Sequence, residues 1–517
     1  MLVSSDGSFE TSVSKTRNSI GGVIFSKTDK YTQDHTGAKT FGYVKGNYRE
    51  LIVQGKNLVI FHREENLKFY AKIEKIENYP ITAGGFETSI TETATRLHLR
   101  PFYEISYTEN YKGQYRPHNM LGLELDFPNS NELMEMLNIP QEGLVLGNLV
   151  ESEQNIPFNY PLHPEDTIFQ SVFIAGVQGS GKTNFTKMLV NSLHSKTNTA
   201  MVILDREGEY GNFTDAEKMT PDGKKFFEKH GISSVKPNLL RLSNDFFEAT
   251  ATMSIQGIDP LDILMVLPEL ETKSAAVLRT IVSQAVRNIA ESGVELSLPV
   301  LEKEVLLELR TSQYLTGMAG SSMRGAIERA LISHNLRLFD QNNKTKLVAD
   351  VLFKEGAVTV IDCQSLSSDQ QRMVALYLLL MLNKHKLHEK HREPGVLLFI
   401  DEAEVLFPVK PTNGEKDYVQ RLEEMAREPV RRGRKHKFGI VAITHRPNDI
   451  SAAVENLCNT KIAFRTSTAK TWLRDNFGKE LVHEIETMET GTCYINTMKT
   501  SKQIQAKVSV PFVGDCE

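Results

Sequence analysis

Gly176-Val177-Gln178-Gly179-Ser180-Gly181-Lys182-Thr183 spells G-x-x-x-x-G-K-[ST], the spacing of a loop that binds phosphate. Its glycines let the backbone wrap closely around a polyphosphate with N–H groups pointing inward. Lys182 would reach the β- and γ-phosphates, and the Thr183 hydroxyl would ligate Mg²⁺. Gly176, Gly179, Ser180, Gly181, Lys182, Thr183 and Asn184 are the expected nucleotide contacts. At ordinary glycine usage of about 7%, roughly one random chain of this length in fifty would carry the pattern. Here an apolar strand precedes it (Val172-Phe173-Ile174-Ala175) and a helical stretch from Asn184 to Leu193 follows. That setting favours a nucleotide over an empty glycine-rich turn.

The second constellation is Val396-Leu397-Leu398-Phe399-Ile400-Asp401-Glu402. An apolar strand that ends in Asp-Glu has the form of a Walker B element. Asp401 would hold Mg²⁺ through its water shell, and Glu402 would polarise the attacking water, which points to hydrolysis. Two solvated acids at a strand end are the alternative, weakened by the phosphate loop upstream. Leu204-Asp205-Arg206-Glu207-Gly208-Glu209-Tyr210 ends another apolar run, so Glu207 and Glu209 are reserve candidates for the base. Thr444-His445 closes the strand after Phe438; from there these residues would sense the γ-phosphate.

Between them lies a dense cationic run, Arg427 to Lys437, including Arg431 and Arg434. Three readings fit it: a solvated helix end, one or two guanidiniums against a γ-phosphate in cis or across a subunit boundary, or contacts to nucleic-acid phosphates.

These residues need a scaffold. With 517 residues the chain has room for two to four domains, and 40% hydrophobic with 24% charged residues is ordinary for a soluble globular protein. A net charge of −5 excludes a uniformly basic surface but not a local basic ring or channel. No apolar run of about 18 residues and no secretion-signal core occur, and the four cysteines have no paired metal spacing, so a reduced, cytoplasmic setting without a membrane is expected. Residues 1–19 read as a flexible tail. Residues 20–150 hold short strands separated by turns, the pattern of a small β-barrel or sandwich. From about residue 160 to 517, buried-type strands alternate with helices, as in a parallel α/β sheet. A helical insert at about 215–350 interrupts them, with helices expected at 272–290 and 321–335. Late strands at 491–496 and 504–512 return to the sheet or the barrel.

The order Gly176–Thr183, Leu204-Asp205 with Gly208-Glu209-Tyr210, Ile400-Asp401-Glu402-Ala403, Arg431–Gly439, Thr444-His445-Arg446-Pro447 and Asn459-Thr460-Lys461-Ile462 resembles the HerA branch of the HerA/FtsK superfamily of hexameric DNA-pumping ATPases. The likeness runs over roughly residues 20–510. It implies a RecA-like P-loop core with a helical insert, preceded by a small N-terminal β-barrel. It also implies ATP and Mg²⁺ at the subunit interfaces of a homohexamer, with double-stranded DNA in the channel. The partner would be a separate nuclease or effector (NurA-like or sirtuin-like) in DNA-end processing or antiphage defence. Three features depart from the family pattern: His445 stands where glutamine is frequent, Ala403-Glu404 where Ala-His is frequent, and the stretch 427–437 carries extra basic residues. Arg431 and Arg434 are the candidates for an arginine acting on the neighbouring subunit's nucleotide. The loop Lys410-Pro411-Thr412-Asn413-Gly414 is a candidate for the channel. An ATP-gated ring scaffold that regulates a partner enzyme, and a small-molecule kinase, are the competing functions.

Overall fold

The computed structural model describes residues 2–3, 9–10, 21–27, 39–44, 57–62, 65–80, 93–116, 123–150, 157–160, 168–211, 219–266, 272–311, 321–325, 337–388, 392–412, 416–499 and 502–512, apart from the single positions 138, 323 and 457. The chain divides into two compact units: Met1–Gln141 with Glu151–Ile156, and Glu142–Val150 with Pro157–Glu517.

In the first unit, two-residue strands β1 (Leu2–Val3) and β2 (Phe9–Glu10) pair with each other within the stretch read as a tail. The main sheet comprises β3 (Gly21–Lys27), β4 (Lys39–Val44), β5 (Asn57–His62), β6 (Leu67–Pro80), β7 (Thr93–Ser106), β8 (Tyr111–Gln114) and β9 (Glu124–Asp126). All its pairings are antiparallel, in the order β4-β3-β9-β5-β6-β7-β8, and β4 pairs with β7 as well. Side chains two apart along a strand share a face, so Leu58 and Ile60, Phe69, Ala71 and Ile73, Leu97 and Leu99 collect into one core with Leu125. The pattern of short strands expected here includes two long ones, since β6 and β7 each run unbroken for 14 residues. Helix α1 (Ser130–Met136) starts with an Asn129/Glu132 capping box.

The second unit carries β10 (Leu144–Leu149), β11 (Pro157–Tyr160), β12 (Val172–Ala175), β13 (Ala200–Asp205), β14 (Asn238–Arg241), the small parallel pair β15 (Ala251–Met253) and β16 (Thr345–Leu347), then β17 (Val358–Asp362), β18 (Val396–Ile400), β19 (Phe438–Thr444), β20 (Thr460–Phe464), β21 (Thr492–Lys499) and β22 (Lys502–Ser509). Eleven of these strands form one sheet in the order β11-β10-β22-β21-β20-β12-β19-β18-β13-β17-β14. The pairings from β20 to β14 are parallel and the remaining four antiparallel. Strands β12, β13, β17, β18 and β19 are buried along their whole length, as a parallel sheet covered on both faces requires. Among the covering helices are α2 (Lys182–Lys196), α3 (Pro221–His230), α4 (Thr272–Ser292), α5 (Leu298–Thr311), α6 (Ser368–Asn383) and α7 (Lys416–His436).

Two boundaries differ from the sequence reading. Leu144–Leu149, expected with the N-terminal strands, pairs with β22 through Asn148 and Leu149. The stretch expected as a helical insert also contains β14, which extends the sheet to its edge beyond β17. Four residues with a single buried side chain carry too little periodicity to be read as a strand. The helix expected at 272–290 is present as α4; the one expected at 321–335 lies almost entirely outside the described residues.

Candidate nucleotide site

Parallel register brings the chemistry-bearing residues to one edge. Ala175 stands beside Thr444 and Ala463, Ile400 beside Ala442 and Leu204, and Asp205 beside Asp362. The phosphate loop, the Asp401-Glu402 turn, His445 and the 206–210 turn therefore all leave the sheet at its C-terminal side, where open α/β sheets bind ligands.

The loop is held from both flanks. Gly176 N–H donates to the Thr444 carbonyl at 3.3 Å, and Val177 N–H to that of Arg465 at 2.9 Å. A Cβ on Gly176 would lie 2.5 Å from the Phe464 Cβ, and Gly181 has φ +109° with Gly491 packed against it; neither position accepts a side chain without displacement. Gly491 N–H donates to the Ser180 carbonyl at 3.0 Å, while the Ser180 hydroxyl donates to that of Val177 at 2.7 Å. Helix α2 begins at Lys182, so its unpaired N–H groups and positive dipole end face the loop, an anion-binding arrangement.

Lys182 is buried, and its ammonium donates to the Gly176 carbonyl (2.8 Å), the Val177 carbonyl (3.0 Å) and His445 Nδ1 (2.9 Å). Burial lowers its pKa to about 8, against the pull of Asp401 and nearby glutamates. An ammonium can only donate, so Nδ1 of His445 accepts and Nε2 carries the hydrogen, 3.8 Å from Glu402 Oε1. Burial, then Lys182, holds the His445 imidazole below its usual range, so it is neutral.

The carboxylates crowd together. Thr183 Oγ1 donates to Glu209 Oε2 at 2.5 Å. Asp401, buried with its Oδ1 accepting the Glu402 N–H at 3.0 Å, is pushed up to about 8, mainly by burial and next by Glu209. Glu402 sits in the left-handed region at φ 46°, a conformation uncommon outside glycine and asparagine. Burial raises its carboxyl while Arg206 opposes the rise. Asp205 accepts the N–H groups of Gly208, Glu209 and Tyr210 at 2.9, 3.1 and 3.0 Å, which folds the 206–210 turn and aims Glu209 at Thr183. A cleft of about 810 Å³ opens beside these groups, lined among others by Gln178, Glu207, Glu209, Glu402, His445 and Arg446.

This donor set fits Mg²⁺ held jointly with a nucleotide. It offers hard oxygens from a hydroxyl and carboxylates with a surplus of negative charge. Among the described residues no group of three His, Cys, Asp or Glu side chains is arranged to hold a metal by itself. Mg²⁺ characteristically takes one or two protein oxygens and completes its shell with phosphates and water.

The remaining sequence candidates divide. Thr444 is fully buried, and its hydroxyl accepts the Arg446 N–H at 3.0 Å, so it shapes the turn that carries His445. The Asn184 amide donates to the Pro511 carbonyl at 3.1 Å. Glu207 lines the cleft beside Glu402, and Glu404 accepts the His445 N–H at 3.1 Å. Arg431 and Arg434 are not brought to this site within their own chain. They lie near the C-terminal end of α7, which feeds through Lys437 into the first residue of β19. That is the opposite edge of the sheet, about 20 Å away along a seven-residue strand. The Arg431 side chain is exposed there. Two residues given no role from sequence join the site. Arg206 NH1 donates to Glu402 Oε2 at 2.8 Å, and Gln371 of α6 accepts from Arg206 Nε and NH2 at 2.8 and 2.6 Å. The one available signal was an arginine directly after the strand-end acid.

Residues 144–382 match the family described as helicase HerA, central domain. No curated protein matches the chain. Among solved structures it is similar to VirB4 of Thermoanaerobacter pseudethanolicus, with 14% identity over 71% of this chain and 97% of that one, TM-score 0.47. It is also similar to the bacterial conjugative coupling protein TrwBdeltaN70, with 13% identity over 74% and 93%, TM-score 0.49. A third likeness is to the genome packaging NTPase B204 from Sulfolobus turreted icosahedral virus 2 in complex with AMP, with 13% identity over 65% and 96%, TM-score 0.30.

Proposed function

We propose, from the match of residues 144–382 to the HerA central domain, that this chain is a member of the HerA/FtsK superfamily and an ATP-hydrolysing motor that translocates double-stranded DNA as a homohexamer. The observation that carries the reading is the convergence of Lys182, Thr183, Asp401, Glu402 and His445 at the C-terminal ends of adjacent strands. Phosphoryl transfer to water needs positioning and charge stabilisation more than covalent chemistry. The loop N–H groups and Lys182 would bind the β- and γ-phosphates, Lys182 exchanging its carbonyl partners for phosphate oxygens. Thr183 and Asp401 would hold Mg²⁺, which when bound neutralises charge developing on the phosphates. Glu402 would accept the proton of the attacking water. Neutral His445, between Lys182 and Glu402, would register whether the γ-phosphate is present.

The wider reading follows the same premise. Residues 142–150 and 157–517 form a RecA-like ATPase domain with an insert between β14 and β17. Residues 20–141 form a small barrel, supported by the β4–β7 pairing that returns the sheet order to its first strand, and this domain docks a separate nuclease or effector. Since α7 carries Arg431 and Arg434 away from the site of their own chain, the reading requires them to act on a neighbouring subunit's nucleotide. The loop 410–414, partly outside the described residues, is the candidate for the channel.

The test is ATP hydrolysis by the purified chain with and without long duplex DNA. DNA should stimulate hydrolysis, with a stimulation that falls steeply as salt rises, and Lys182→Ala should abolish it. Hydrolysis indifferent to DNA at every salt concentration overturns translocation. Absence of hydrolysis in any assembly overturns the ATPase reading.

A further inference from the structure

In the reaction just described the Asp401-Glu402 turn supplies Glu402 as the general base, and a general base works only if its free oxygen is aimed. Its own strand does little to aim it: its backbone is left-handed, and its side chain shares a hydrogen bond with Glu207 in a cluster with Glu404 and Glu209, where like charges repel. Its anchor comes from the next strand. The Arg206 guanidinium, with 6% exposure, donates NH1 to Glu402 Oε2 at 2.8 Å. The fork of Arg206 is itself held, since Nε and NH2 both donate to Gln371 Oε1. The Gln371 amide in turn donates to the Cys363 carbonyl at 3.0 Å, at the end of β17. The next residue of the helix, Arg372, donates Nε to the Val405 carbonyl at 3.2 Å, gripping the turn that follows Glu402. The first turns of α6 thus brace the glutamate from two sides. With Oε2 tied to Arg206, Oε1 is left on the side of His445 and Lys182, where a γ-phosphate would lie.

We propose that Arg206 is a positioning residue for hydrolysis: braced by Gln371, it fixes the Glu402 carboxylate so that Oε1 meets the attacking water. This rests on the reading of Glu402 as the base. Arg206 touches neither the phosphate loop nor Lys182 in any hydrogen bond described, so its contribution falls on turnover and not on nucleotide binding. A misplacement near 1 Å at a reacting group costs about a hundredfold.

The experiment compares the full chain with Arg206→Gln, Arg206→Lys, Gln371→Ala, Glu402→Gln and the Arg206→Gln/Glu402→Gln double variant. It measures steady-state hydrolysis with duplex DNA, binding of a fluorescent ATP analogue, and thermal melting. Arg206→Gln should lower kcat by about 10- to 100-fold while the analogue's Kd stays within about threefold. Arg206→Lys and Gln371→Ala should fall between it and wild type. The double variant should be no slower than Glu402→Gln alone, because a residue acting through Glu402 has nothing left to position. A kcat for Arg206→Gln equal to wild type, or losses that multiply in the double variant, overturns the proposal. Should Arg206→Gln melt early, Arg206→Lys and Gln371→Ala decide by the same split between kcat and Kd. Undiminished hydrolysis by Glu402→Gln instead overturns the assignment of the base itself.

Discussion

Asp401→Asn should make the nucleotide-free chain more stable while it destroys activity, with a pH dependence that identifies the cause. The Asp401 carboxyl is buried beside Glu209, and its pKa is pushed up to about 8, whereas an unfolded aspartate titrates near 3.9. A carboxyl with the higher pKa in the folded state binds more protons folded than unfolded. Stability is therefore fully present below about pH 4 and falls as pH climbs to the folded value near 8. The slope for one proton is about 1.4 kcal/mol per pH unit, so three units of ionisation cost wild type about 4 kcal/mol at pH 7. Asparagine keeps an oxygen for the Glu402 N–H and removes the titration. For a unit of this size, about 1–2 °C of melting temperature per kcal/mol gives Asp401→Asn a gain of about 4–8 °C at pH 7. Melting curves from pH 5 to 8.5 should show the gap widening to about pH 8 and then levelling. Mg²⁺ with a non-hydrolysable ATP analogue should close it by stabilising wild type more. A gap independent of pH, or an Asp401→Asn chain less stable than wild type at pH 8, refutes the account of a strained carboxylate cluster relieved by a cation.

Other expectations are simpler. Gly176→Ala places its Cβ 2.5 Å from the Phe464 Cβ and 2.8 Å from the Ser180 hydroxyl; overpacking of about 1–3 kcal/mol should weaken nucleotide binding tenfold or more in an equilibrium titration, with helix content by circular dichroism unchanged. Cys363, Cys458 and Cys493 are buried, and burial drives all three thiols upward, Cys458 to about 12; iodoacetamide at pH 8 should leave their peptides unmodified in the native chain and label them in guanidinium, as mass spectrometry would show. Lys386, buried and lowered to about 8, is protonated less readily folded than unfolded, so its contribution to stability rises between about pH 8 and the unfolded value near 10.4. Lys386→Met should flatten that limb of the melting-temperature profile.

What was readable from sequence follows from the range of each signal. The phosphate loop and the Asp401-Glu402 strand announce themselves within ten residues, and the fully buried strands on either side are continuous apolar runs. Strand β14 and the attachment of β10 to β22 depend on partners far along the chain, and their short segments say nothing of them. Arg206 was passed over for the same reason: its partners are Glu402 and Gln371, 196 and 165 residues away. The position of Arg431 and Arg434 was in principle legible. Residues that precede a parallel strand enter at the edge opposite to those that follow one, so a run before Phe438 cannot share an edge with a loop after Ala175.

The tie between Ser180 and Gly491, with Asn184 bonded to Pro511 across 327 residues of sequence, bears on how the chain is made. On the ribosome the phosphate loop emerges early, with its C-terminal props still unsynthesised, and non-local contacts of this span form late. A nascent chain carrying the whole loop motif would hold it without its final shape until β21 and the segment after β22 had been added. The loop that would receive a nucleotide then reaches its binding shape only when nearly the whole chain has been made.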